Sequence, residues 1–179
     1  TGLDGAYGRI LAIGFAIEHM DPFCIIDANE KNVISEFYRI LNNAVQVEHE
    51  RGFAAQQVTF VGHNIVGFDL RFLWQRSVVN GITPPAYIPF SAKAWDKTVF
   101  DTMTQWNPDR EKRTSLDKLC KILGVKSPKG DIDGSKVAQA WADGRGEEIA
   151  AYCCGDVRAT RSIYQRLTFA GKPALLKAA

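Results

Sequence analysis

The chain has 179 residues, 46% of them hydrophobic, which suits one substantial core and a single domain spanning residues 1–179. Its net charge of +2 argues against nucleic-acid binding by bulk charge, so any phosphate contact must be local or routed through metal. Four cysteines without Cys-x-x-Cys spacing or clustered histidines argue against structural zinc, and with no visible signal peptide or membrane-length apolar run they suggest a cytoplasmic protein.

Arg9 to Ile17 alternates and then runs apolar, predicting a strand, and Phe23 to Asp27 reads as its hairpin partner after the Asp21-Pro22 turn. Ile34, Phe37, Tyr38 and Leu41 repeat at helical spacing and predict a scaffold helix from about Glu30 to Val47. Val58 to Gly62 reads as a short buried strand, His63-Asn64 as a turn, and a helix starts near Asp69. Asp69 thus stands at the carboxyl end of a strand, where open α/β sheets place ligands.

Thr83-Pro84-Pro85 to Phe90 is a rigid loop, and Thr98 to Asp101 is short enough to be the next strand. Thr114 to Asp117 resembles a capping box, opening a helix that closes near Gly124. The loop Lys126 to Asp131 carries two lysines that could touch a phosphate backbone or simply be solvated. A last long helix is expected from about Gly146 to Leu167. Within it Gly155 costs about 1 kcal/mol relative to alanine, which points to close approach by another backbone or a ligand. Cys153 and Cys154 point to different faces and read as small, buryable residues. Trp95 and Trp106 suit either an interface or a loop closure.

Two acidic motifs stand out, Asn64-Ile65-Val66-Gly67-Phe68-Asp69 and Tyr152-Cys153-Cys154-Gly155-Asp156. Tyr152 and Asp156 are one helical turn apart, so phenol and carboxylate share a helix face. Hard divalent cations prefer carboxylate oxygens, and a phenol beside them can orient an attacking water or accept its proton. The same spacing also arises in amphipathic helices, as a half-buried ring beside a solvated charge.

Together the motifs resemble a DEDD-superfamily 3′→5′ exonuclease in its tyrosine-bearing branch, similar to the proofreading domain of family B DNA polymerases. Further matching runs are Phe100 to Met103, Ser115 to Cys120, Gly130 to Val137 and Glu148 to Asp156, and the resemblance covers most of residues 8–168. It implies a ribonuclease H-like α/β fold, a mixed five-stranded sheet flanked by helices. It implies two magnesium or manganese ions roughly 3.5–4 Å apart, activating a water and stabilising the leaving oxygen. Asp69 and Asp156 would be metal ligands, and Tyr152 would complete the catalytic set by orienting the water. Asp101 would be a structural hydrogen-bonding residue. Thr1, Gly2, Leu3, His63, Asn64 and Phe68 would contact the nucleic acid, with Phe68 able to stack on a base or pack in the core. Single-stranded DNA 3′ ends are the expected substrate, ahead of RNA ends.

One departure from the pattern stands out. Members of the resembled family begin with a strand ending in Asp-x-Glu, which supplies the remaining two carboxylates, whereas this sequence opens with Thr1-Gly2-Leu3-Asp4. Loss of that strand would leave neighbouring strands with unpaired backbone groups, each costing roughly 1–3 kcal/mol if buried. The expectation is therefore an upstream segment carrying Asp-x-Glu; the alternative is a catalytically inactive nucleic-acid-binding scaffold.

Overall fold

A computed structural model describes residues 4–52, 58–108, 112–128 and 132–170. Strand β1 (Ala12–Phe15) pairs antiparallel with β2 (Phe23–Ile26), Ala12 opposite Ile26 and Phe15 opposite Phe23, so the expected hairpin forms with shorter strands. Helix α1 (Glu30–Glu50) follows, its first turn capped by the Asn29 side chain accepting from Lys31 N–H, and Val33, Ile34, Phe37 and Tyr38 form its buried stripe. Strand β3 (Phe60–Gly62) leads into α2 (Asp69–Asn80). Strand β4 (Val99–Asp101) lies parallel to β3, with Gly62 opposite Asp101. Helices α3 (Thr102–Trp106), α4 (Leu116–Leu123), α5 (Val137–Ala142) and α6 (Gly146–Leu167) complete the order.

The α/β class holds, but the single five-stranded sheet does not appear among the described residues, which carry four strands in two separate pairs. What joins the pairs is α6, which packs on β1, β2 and β3 and also on α3, α4 and α5. Ile149, Ala159 and Ile163 are its fully covered contacts, and burying each isoleucine side chain contributes about 1.5–3 kcal/mol. Two glycines set the approach of other chain segments to this helix. A Cβ on Gly14 of β1 would sit 2.7 Å from Cys153 Cβ and 3.0 Å from its carbonyl, so only glycine lets the strand lie this close. The approach anticipated at Gly155 comes from Pro128, whose Cβ would be 3.2 Å from an added methyl.

Helix α4 opens one residue later than the capping pattern suggested. Ser115, in the extended conformation a cap needs, accepts from Lys118 N–H at 3.3 Å. Thr114 instead accepts from the Asn107 side chain at 2.7 Å. Gly124 closes the helix at φ 64°, in the left-handed region expected of it.

A buried ionic knot ties α1 to α2. Glu30 receives two guanidinium bonds from Arg76, at 2.9 and 2.7 Å, and further bonds from Ile10 N–H and the Asn80 amide. Arg76 also donates to the Gly5 carbonyl, fixing the turn ahead of β1. Burial alone would raise the Glu30 carboxyl; Arg76, Ile10 and Asn80 outweigh it and hold the group below its ordinary value. No buried side-chain oxygen or nitrogen among the described residues lacks a partner.

Candidate active site

The turn between β3 and α2 is held open by three devices. Asn64 adopts φ 62°, a left-handed conformation that asparagine tolerates better than most side chains. Gly67 carries no methyl, and a Cβ there would meet Asn64 Oδ1 at 2.5 Å. Asp101, 1% exposed at the end of β4, accepts from Asn64 N–H at 2.9 Å, Val66 N–H at 3.2 Å and Met103 N–H at 3.0 Å. Its carboxylate therefore caps α3 and clamps the turn together, the hydrogen-bonding role expected of it. Phe68 N–H then bonds the Asn64 carbonyl and Leu70 N–H the Ile65 carbonyl, which starts α2 with Asp69 in its first turn.

Asp69 stands in the first turn of α2. The residue keeps exposed surface, yet enough protein surrounds the carboxyl to push it up to about 7. Its own backbone N–H opposes that rise, while Asp101 and Asp156 reinforce it by like-charge repulsion. Asp156, on α6, is pushed up to about 6 by burial, tempered by a hydrogen bond from the Tyr152 hydroxyl. Tyr152 itself is raised above its ordinary value, first by burial and then by the Asp156 charge and their bond. It therefore stays a neutral donor at physiological pH. Asp133, within the run Gly130 to Val137, acts on Tyr152 as a further negative charge; its place in that run was the only sequence signal for it.

The structure thus brings Asp69, Asp156 and Tyr152 together from α2 and α6, with Asp101 behind them. Phe100 of β4 packs edge-on against Tyr164 of α6, centroids 4.8 Å apart, and helps hold the two elements in register. Phe68 is half-buried and leans on Phe72 at 5.3 Å. His63 has both ring nitrogens engaged by protein, Nδ1 with Thr102 Oγ1 and Nε2 with the Thr114 carbonyl, each at 2.9 Å. A carbonyl can only accept, so Nε2 carries a proton, and burial lowers the pKa of the ring. In this arrangement His63 joins β3, α3 and the approach to α4, and offers no free nitrogen to a phosphate. Thr1, Gly2, Leu3 and the tip of the lysine loop, 129–131, lie outside the described residues.

Two carboxylates of like charge brought near one another suit a hard cation, which would relieve the repulsion. The charges acting on Asp69 from elsewhere in the protein, those of Asp101 and Asp156, are both negative. Among the described residues no group of three histidine, cysteine or acidic side chains is arranged to hold a metal ion.

Fold and site together define an α/β protein in which acidic residues from two helices converge with a tyrosine. Comparison over residues 5–173 assigns the family: the chain belongs to the predicted 3′–5′ exonucleases related to the exonuclease domain of PolB. That membership supports a nuclease role. The chain is also 28% identical over 167 residues to the uncharacterized protein MJ0365 of Methanocaldococcus jannaschii, covering 93% of this chain and 82% of that one. Among the described residues no helix is long and apolar enough to cross a membrane.

Proposed function

We propose that the chain is a metal-dependent 3′→5′ exonuclease of the tyrosine-bearing DEDD branch, acting on single-stranded DNA ends. The observation that carries this reading is the convergence of Asp69 with the Tyr152–Asp156 pair. Asp69 and Asp156 would hold magnesium or manganese, with the remaining ligands supplied outside the described residues. When bound, such ions would supply an activated water and stabilisation of the leaving 3′ oxygen. Tyr152, whose hydroxyl proton is given to Asp156, orients the water by accepting a hydrogen bond from it on the phenol oxygen. Asn64 and Phe68 flank Asp69 on the β3–α2 turn, and Phe68, braced by Phe72, stacks on the terminal base. In this reading a ribonuclease H-like sheet joins the two strand pairs through a strand between β1 and β3, each of which pairs with one neighbour among the described residues.

The test is degradation of 3′-labelled and 5′-labelled single-stranded DNA with magnesium, manganese or chelator. Metal-dependent shortening from the 3′ end is expected. Asp156→Asn should lose at least about 100-fold in turnover while still binding the strand. A second reading, an inactive nucleic-acid-binding scaffold, draws on the absence of a three-donor cluster among the described residues. Retained binding without cleavage under any metal would establish it instead.

A further inference from the structure

Cys24 stands within β2, directly opposite Gly14 of β1. Opposed residues of an antiparallel pair project from the same face of the sheet, with Cβ atoms about 4.5–5.5 Å apart. Gly14 leaves its place on that face empty, and Cys153 of α6 fills it, its Cβ lying 2.7 Å from where a Gly14 methyl would be. The two thiols face each other across this gap and act on each other's proton affinity, while Cys24 Sγ donates to the Ile25 carbonyl of its own strand at 3.5 Å. Both residues are half-buried, so small oxidants have access, and all four cysteines are free thiols. The other two are placed differently. Cys154 Sγ bonds the Pro22 carbonyl at 3.5 Å, and Cys120 is fully buried in a separate cluster with Leu119, Ala159 and Ile163.

We propose that Cys24 and Cys153 are a reversible disulfide-forming pair, an oxidant-responsive modification site that links β2 to the turn of α6 carrying Tyr152. The neighbouring Cys153 holds the Cys24 thiol below its ordinary value, and Cys24 together with burial raises Cys153. Of the two, Cys24 loses its proton the more readily and so attacks first. With hydrogen peroxide as oxidant, Cys24 sulfur displaces hydroxide from the O–O bond to give the sulfenic acid, and the hydroxide leaves as water with a proton. Cys153 sulfur then attacks the sulfenic sulfur, and the hydroxyl departs as a second water with the Cys153 proton. Peroxide is reduced by two electrons and the dithiol is oxidised by two.

The experiment treats the full-length chain with one equivalent of hydrogen peroxide, blocks remaining thiols by alkylation and maps the peptides by mass. The expected product has lost two hydrogens, joins the Cys24 and Cys153 peptides, leaves Cys120 and Cys154 alkylated, and reverts with dithiothreitol. Cys24→Ser and Cys153→Ser should each abolish it, and Cys120→Ser should leave it unchanged. A bond from Cys24 to Cys154, a cross-link between two chains, or full alkylation of Cys24 after treatment would each overturn the proposal. The peroxide-treated parent itself supplies this reading if a serine variant folds poorly.

Discussion

Asp69 and Asp156 both hold protons more tightly than an ordinary aspartate, and the sign of that effect is measurable. The ordinary value is 3.8, while the folded values lie near 7 and 6. Between them the folded chain retains protons that the unfolded chain has released, so this contribution to stability falls as pH rises through the window. In chelator, Asp69→Asn should melt higher than the parent near pH 8, and the gap should close towards about pH 4. A parent and variant with parallel pH profiles would refute this. Magnesium or manganese, competing with the same protons, should raise the melting temperature more at the alkaline end. Glu30 works in the opposite sense: its depressed value adds stability above about 4.5 that is lost as pH falls. Asp101 acts by geometry. Asp101→Ala leaves its amide partners without their acceptor, so a loss of at least about 2 kcal/mol is expected by chemical denaturation.

At the scale of elements, two joints invite substitution. The Glu30–Arg76 pair is covered, with side chains only 7% and 10% exposed, though by a thin layer near the surface. Arg76→Met should therefore cost towards the lower end of the range for breaking a buried pair, about 3 kcal/mol, read as a shift in denaturant midpoint. Gly14→Ala drives a methyl into the Cys153 backbone, and a loss of about 1–3 kcal/mol is expected, with a normal melting curve counting against the close approach. What was legible in the sequence follows the same division. The hairpin, α1, α6 and the Tyr152–Asp156 spacing were readable because they rest on patterns within one turn or one strand. The Asp101 clamp on Asn64 and Val66 was not, since its partners sit across two parallel strands and carry no periodic signal. The capping residue of α4 was displaced from Thr114 to Ser115 because Thr114 is taken up by Asn107 and His63, contacts no local rule supplies. Helices α3 and α5 were passed over because five or six residues give periodicity little to act on.

Over the whole molecule, α6 is the organising piece. It backs both strand pairs, packs on three other helices, and brings one of the two carboxylates to the other. Its position late in the chain has a consequence for synthesis. On the ribosome, β1, β2 and β3 emerge long before the helix that covers them, so the nascent chain carries an uncovered apolar sheet face through most of its translation. The carboxylate pair comes together only after Asp156 has left the exit tunnel, long after Asp69, so the recruitment of one acidic residue by the other is among the last events of folding.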